Sequence, residues 1–276
     1  MKKRHKDRIV GIALSGGAAR CIGQIGVLEA LEEAGIQVDA VAGTSGGAFV
    51  GALYASGLLS IPEMKRLARG IKWRHVVRPN LPKQGLISSE KIYHYVREIL
   101  NDMTFEDLKV PLAVVASDLR SGDKVVITQG SVARAVQASC SLPVIFTPTP
   151  LNGQVLIDGG VASQLPILAA QKDLGAKFVI GVDVNCNAME TARLDNLFQI
   201  GIHFISLFAR RNALVERQFA DVMIEVDASG ISLLDLDKAD LLMERGYQAA
   251  QAKLDRIMEK LKEFEGVKGW LKRVMP

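Results

Sequence analysis

Two short apolar runs that each break into glycines and then into helical spacing leave this chain few folds to adopt. Residues 8–14 (RIVGIAL) enter Ser15-Gly16-Gly17-Ala18-Ala19-Arg20, after which Ile22, Ile25, Val27, Leu28 and Leu31 share one helical face. Gly35 is a stop signal for that helix. Residues 38–43 (VDAVAG) enter Gly43-Thr44-Ser45-Gly46-Gly47, and the small, apolar stretch to Gly57 fits a helix buried against a sheet. Continuous apolar strands followed by helices predict an α/β fold, with a mostly parallel sheet and helices on both faces.

The rest of the chain continues the alternation. Strands are expected at 110–117 and 124–128, joined by a Ser-Gly-Asp turn, and at 154–157, 177–184 and 221–226. Helices are expected from Pro62, from Ser88 or Ser89 to about 100, and at 131–139, 193–218 and 238–264. Residues 70–87 read as irregular and 142–150 as a proline-rich loop. With no repeat, linker or low-complexity tract, the 276 residues are expected to form one domain spanning 1–276. Its motif-bearing core lies at about 8–185, with C-terminal helices at about 193–273 packed on it.

The basic N-terminus (KKRHKDR) before an apolar run looks superficially like a signal peptide, with Cys21 as a lipoprotein site. Arg20 stands where small residues are needed, and Gly11, Ser15, Gly16 and Gly17 break the run, so a strand and a glycine turn are expected instead. No window approaches the ~18–20 apolar residues of a spanning helix. Cys21, Cys140 and Cys186 have no metal-like spacing and are odd in number, which fits reduced thiols in a cytoplasmic protein. A location on the inner face of the membrane is the variant of that expectation.

Much of the net charge of +4 sits at the two ends, where solvated basic tails are the plain reading and contact with an anionic surface the sharper one. The C-terminal MEKLKEFEGVKGWLKRVMP mixes Lys and Arg with Leu, Phe and Trp270, as a helix on an anionic bilayer would. It also fits a surface helix that closes the domain. The helix at 194–208 carries Leu197, Phe198, Ile202, Ile205, Leu207 and Phe208, and is expected to be core. A homodimer contact is the second reading and a lid over an acyl pocket the third.

The chemistry lies in the turns. Gly43-Thr44-Ser45-Gly46-Gly47 satisfies G-x-S-x-G between a strand and a helix, the setting of a nucleophile elbow. A residue held in so tight a turn needs small neighbours, and Gly43 and Gly47 supply them. The helix N-terminus behind Ser45 favours developing negative charge. The glycines after the first strand make an anion-binding nest, with Gly16, Gly17 and Gly46 as candidate oxyanion donors. The spacing fits neither the P-loop nor a clean G-x-G-x-x-G, so nucleotide binding is disfavoured and no nucleic-acid partner is expected. Arg20 either holds the turn or attracts a substrate phosphate. Asp158-Gly159-Gly160 reads alone as a turn, but a serine needs a base. His75 and His94 precede Asp158, His5 is in the tail, and His203 is inside an apolar helix, which leaves Asp158 as the direct partner of Ser45. Burial would raise its ordinary pKa of about 3.9 toward a useful base. No cluster has metal-ligand spacing, and no metal or other cofactor is expected.

In this order and at these separations the motifs resemble the patatin-like phospholipase family. The nest matches at Gly16, Gly17 and Arg20, the elbow at Gly43, Ser45 and Gly47, and the family's D-G-[GA] at Asp158, Gly159 and Gly160. GVLEALEEAGI (26–36) and Ala138-Ser139-Cys140-Ser141-Leu142-Pro143 also look like family segments, so the resemblance covers roughly 8–185. Ala18 stands where the family has a third glycine, Cys21 where a glycine follows the Arg, and Gln24 where bacterial members often carry His. The resemblance implies a three-layer α/β/α fold and a Ser–Asp dyad without histidine, acting on phospholipid or other lipid acyl esters. A lipid-sensing or regulatory protein on the same fold is the alternative from another class. A thioesterase or acyltransferase is the alternative among enzymes.

Overall fold

The computed structural model describes residues 10–76, 87–187, 195 and 197–274, with Val76, Phe198 and residues 265–274 described by backbone alone. β1 (Val10–Leu14) leads through a 3-10 turn (Ala18–Ile22) into α1 (Gly23–Glu33). β2 (Ala40–Thr44) leads directly into α2 (Gly46–Ser56). α3 (Ile61–Gly70), α4 (Trp73–Val76) and α5 (Glu90–Ile99) follow. The hairpin of β3 (Leu112–Asp118) and β4 (Lys124–Ile127) precedes α6 (Val132–Ser139). A second hairpin, β5 (Thr149–Leu151) and β6 (Gln154–Asp158), leads to α7 (Ile167–Lys172). β7 (Phe178–Asp183), α8 (Leu197–Glu216), β8 (Val222–Glu225), α9 (Ala239–Gln251) and α10 (Leu254–Val274) complete the chain.

Among the described residues eight strands make one sheet in the order β5-β6-β3-β2-β1-β7-β8, with β4 also pairing β3. β3, β2, β1, β7 and β8 are parallel to one another, as expected, but the β3–β4, β3–β6 and β5–β6 pairs are antiparallel. The sheet is therefore mixed. Two tight turns cause this: Gly122 (φ 77°) closes one hairpin, and Asn152-Gly153 (φ 51° and 79°) closes the other. Asn-Gly favours a hairpin turn because both residues tolerate positive φ. That turn makes a strand of the end of the expected 142–150 loop, and Pro150 is acceptable there because β5 is an edge.

Alternate residues of each central strand face opposite layers. Ile12, Leu14, Val41, Val114 and Val182 join a large core with α1, α2, α6 and α9. Ala13, Ala42, Ala113, Val115 and Val179 face a smaller core closed by α7 and by Ala213 of α8. The alanines let α7 sit close on the sheet. The result is three layers, with the ends of β1, β2 and β7 opening at the strand where the chain's crossovers change side, the usual place for a ligand site in such sheets.

Three further expectations are corrected. The irregular 70–87 segment includes the short α4; residues 77–86 lie outside the described residues. α7 was not foreseen, being six residues long. The helix expected at 238–264 is two, because α9 ends at Gln251 and the chain turns at Ala252-Lys253 without glycine or proline. The basic N-terminal residues 2–8 lie outside the described residues, as do the side chains at the C-terminal end, Trp270 included. Ile257 and Leu261 of α10 are buried in the large core.

α1 carries the glycine nest on its N-terminal side, and α9 holds α1 in place. The two helices meet with almost no side chain between them: a Cβ on Gly246 would fall on the Gly23 carbonyl oxygen, and one on Gly26 on the Met243 carbonyl. Alanine would gain ~1 kcal/mol in helix propensity. A clash with rigid backbone costs about 1–3 kcal/mol or more and wins. Gly246→Ala is thus expected to lower the thermal unfolding midpoint, whereas Gly70→Ala, with open space around it, leaves the midpoint unchanged or higher.

Candidate active site

Ser45 sits between β2 and α2 with φ 53° and ψ −125°. A non-glycine residue there is strained, by about 1–3 kcal/mol, and persists only where the surroundings enforce it. The enforcement is close packing at its neighbours. A Cβ on Gly43 would lie 2.6 Å from the Ala48 Cα, and one on Gly47 2.5 Å from the Leu14 and Ser15 carbonyl oxygens. The turn is pinned further by Ser139: the Ser45 N–H donates to its hydroxyl at 2.7 Å, and that hydroxyl donates to the Val115 carbonyl at 2.5 Å. Sequence reasoning noticed the segment containing Ser139 but gave the residue no role.

Asp158 meets Ser45 along one edge of β3. Thr44 is the partner of Val115 and Asp158 of the next residue, Ala116, while β4 pairs both on the opposite edge, so β2 and β6 abut end to end. The two registers put the residue after Thr44 and the last residue of β6 at the same level. Ser45 Oγ donates to Asp158 Oδ2 at 2.6 Å, and Oδ1 accepts the Gly160 N–H at 2.8 Å. Gly159 lets the chain fold onto β3, because a Cβ there would overlap the Val115 carbonyl. Ser117 ties the same turn down by donating to the Asp158 carbonyl at 2.9 Å. Burial pushes the Asp158 carboxyl up to about 6, with the Ser45 and Gly160 hydrogen bonds offsetting part of the rise.

The nest is held on both sides, and one of its three expected donors, Gly16, is already paired. The Gly16 N–H donates to the Gln164 carbonyl at 3.0 Å, so it is occupied and Gly16 is not a free donor. The Gly16 carbonyl accepts from Gln164 Nε2 at 3.0 Å and from Asn185 Nδ2 at 2.7 Å. With Gly16 locked on both sides, the Gly17 and Ala18 N–H groups have no hydrogen-bond partner among the described residues, and both residues line the cleft. Ala18 holds φ 47°, so it takes the left-handed backbone that a glycine adopts freely. The Gly46 N–H, at the first turn of α2, also has no partner among the described residues. Arg20 holds the turn: Nε donates to the Ile231 carbonyl at 2.9 Å and Nη1 to Asn185 Oδ1 at 3.2 Å, while the side chain still borders the cleft. Gln24, wholly buried, braces the nest from behind by donating to the Ser15 carbonyl at 2.8 Å.

The cleft above Ser45 and Asp158 encloses about 970 Å³, its open mouth included. Leu142 and the inner face of α8, with Ile202, Ile205, Ala209 and Ala213, form its apolar wall; Arg210 and Arg217 stand at its edge. α8 is therefore not the core helix expected from its composition. Leu197, Leu207 and Phe208 are exposed, Ile202 and Ile205 face the cleft, and the Phe198 side chain lies outside the described residues. Its far end is fixed by Glu216, which accepts the Ser163 hydroxyl at 2.5 Å and the Leu168 N–H at 2.9 Å. No histidine among the described residues lines the cleft. His203 is on α8, and His75 stacks on Tyr95 with ring centroids 5.8 Å apart. No group of three His, Cys, Asp or Glu among the described residues could hold a metal ion.

Comparison with known proteins follows the geometry. The family model for patatin-like phospholipases matches residues 12–170. An uncharacterised NTE family protein of Mycobacterium tuberculosis is 34% identical over 187 residues, which cover 67% of this chain and 51% of that one. The lysophospholipase NTE1 of Phaeosphaeria nodorum is 33% identical over 189 residues, 67% of this chain and 12% of that one. The chain thus spans about half the length of the first relative and a small part of the second. Among solved structures, VipD from Legionella pneumophila superposes with a TM-score of 0.59 at 17% identity, covering 90% of this chain and 67% of that one. At that identity the likeness is one of fold.

The Asp158 shift has a consequence for stability. Its folded pKa of about 6 exceeds the unfolded value of about 3.9, so its contribution is fully present below about pH 4 and is lost as pH rises through 6. Asp158→Asn removes that dependence. The variant's melting temperature relative to the unsubstituted protein is expected to be higher at pH 7.5 than at pH 4, read by thermal melts at both.

Proposed function

Because the chain belongs to the patatin-like phospholipase family, whose model spans more than half of it, we propose that it hydrolyses lipid acyl esters with Ser45 as nucleophile and Asp158 as its base. The single observation that carries the reading is the 2.6 Å hydrogen bond from Ser45 Oγ to Asp158 Oδ2 beside unpaired main-chain N–H groups. Ser45 Oγ attacks the acyl carbonyl carbon as its proton passes to Asp158. The oxyanion accepts from the N–H groups of Gly17 and Ala18, with Gly46 as a third donor. Each such donor is worth on the order of 100-fold in rate. When the tetrahedral intermediate collapses, the departing alcohol takes the proton from Asp158 and leaves an acyl-Ser45 ester. Water then attacks that ester, gives its proton to Asp158, and the fatty acid leaves as Ser45 regains its proton.

One carboxyl serves as base and then acid in each half-reaction, so its pKa must lie near the working pH. At about 6 rather than 3.9, Asp158 accepts and returns a proton at modest cost in either direction. The apolar wall of Leu142, Ile202, Ile205, Ala209 and Ala213 suits an acyl chain. The arginines at the cleft edge suit a phosphate-bearing head group, which favours phospholipid or lysophospholipid over neutral esters.

Ser45→Ala is expected to abolish release of nitrophenol from a chromogenic acyl ester, by on the order of 10⁴-fold or more, while circular dichroism stays that of the folded protein. Undiminished turnover would remove Ser45 from the mechanism. For the unsubstituted enzyme, kcat/KM for an uncharged ester should rise with pH through about 6, as Asp158 loses its proton, and level off above.

A further inference from the structure

We propose that the outer face of α8 is a docking surface for an anionic phospholipid bilayer. It would rest the cleft mouth on the membrane that holds the substrate. The surface is observed independently of catalysis, but its use in lipid delivery rests on the hydrolase reading above.

α8 is amphipathic in an unusual sense. A surface helix ordinarily buries its apolar stripe and shows polar residues to water. Here the inner face mixes small and polar groups with two isoleucines: Ile202, Ile205, Ser206, Ala209 and Ala213 border the cleft, and Asn212 Nδ2 donates to the Val161 carbonyl. The outer face carries larger, exposed apolar ones. Leu197 is 84% exposed, Phe204 58% and Phe208 51%, and Ile200 and Val215 are exposed along the same side. The spacing of three, four and seven keeps them on one face through the helix, a strip about 30 Å long at 1.5 Å per residue. The strip continues around the helix at Gly201. A side chain added there would meet Val144 at 3.6 Å, and Val144, itself 40% exposed, lies two residues from Leu142 in the cleft wall. An apolar path therefore runs from the exposed face over the rim into the cleft.

Charge selects the occupant. The exposed ionisable side chains of α8 are Arg210 and Arg211; its one acid, Glu216, is buried against Ser163, Leu168 and Lys124. An apolar face edged by cations fits the boundary between anionic head groups and acyl chains. Arg211 lies within the apolar strip. On a bilayer its stem packs on lipid while the guanidinium reaches phosphate. In a two-fold contact with a second copy it would be buried beside like charge, with no acid on the face to answer it. No helix among the described residues is long and apolar enough to cross a membrane, so α8 would lie along the surface.

The test is cosedimentation of the full chain with vesicles of phosphatidylcholine alone or mixed 7:3 with phosphatidylglycerol, using proteins with Ser45 intact and Ser45→Ala. Both are expected to bind the anionic vesicles. Phe204→Ser with Phe208→Ser should weaken binding at least ~10-fold and slow hydrolysis of vesicle lipid similarly, with turnover of a soluble short-chain ester unchanged. Arg211→Glu, a single surface change, should weaken binding to the anionic vesicles, as should added salt for the unsubstituted chain. Equal binding by the double variant and Arg211→Glu would overturn the proposal. So would an unsubstituted chain that binds neither vesicle, or a dimer in light scattering that the double variant converts to monomer. Binding retained by an unsubstituted protein that hydrolyses no ester would uphold docking and sink the hydrolase reading instead.

Discussion

The site depends on β3, the strand that brings Ser45 and Asp158 together. Ser45 follows β2 and Asp158 ends β6, and these two strands abut end to end along one edge of β3, with β4 on its other edge. Successive residues of a strand are ~3.3 Å apart, so the residue that leaves β2 and the one that ends β6 meet only if their registers on β3 are contiguous. The pairings of Thr44 with Val115 and of Ala116 with Asp158 set that junction. A slip of one residue in either pairing would turn the side chain to the other face of the sheet. Ser139 and Ser117 secure the arrangement from each side, through the Val115 and Asp158 carbonyls respectively. A hydrogen bond of this kind is fixed by sheet register before any side chain is optimised.

Opposed effects act on Asp158, and their balance makes a carboxylate useful. Burial raises its pKa; the hydrogen bonds from Ser45 and Gly160 lower it; burial is the larger and the result is about 6. In the proposed mechanism stronger donors would lower that value and weaken the group's hold on the proton meant for the departing alcohol, and weaker donors would raise it and make Asp158 slower to ionise as the base for Ser45. The neighbouring thiols are pushed the other way from use. Burial raises the pKa of both Cys21 and Cys140, which keeps both as thiols rather than thiolates.

What the sequence made legible was local. Each glycine turn was readable because strand, turn and helix follow one another within a dozen residues. Ser45 and Asp158 were readable because their chemistry left no histidine to choose. That the Gly16 N–H is taken and the Ala18 N–H is free was not legible, because it turns on contacts across about 150 residues. The Gln164 carbonyl takes the Gly16 N–H, and Asn185 holds the Gly16 carbonyl, which moves the free donors on to Gly17 and Ala18. No pattern near Gly16 announces either partner. The antiparallel edge did leave a sign, the Asn152-Gly153 pair, whereas the break between α9 and α10 left none.

α8 misled for a physical reason that also explains its design. Composition counts apolar residues but does not say which side of a helix the core lies on. Reading Leu197 through Phe208 as core assumes that the larger side chains face inward. The cleft divides them: Ser206, Ala209 and Ala213 leave room beside Ile202 and Ile205 in its wall. Leu197, Phe204 and Phe208 stand on the far side of the helix, exposed. Glu216 then does what apolar packing does for most helices. Its carboxylate fixes the end of α8 to Ser163 and to the first turn of α7, holding in place a helix whose greasy face gives it no purchase on the core.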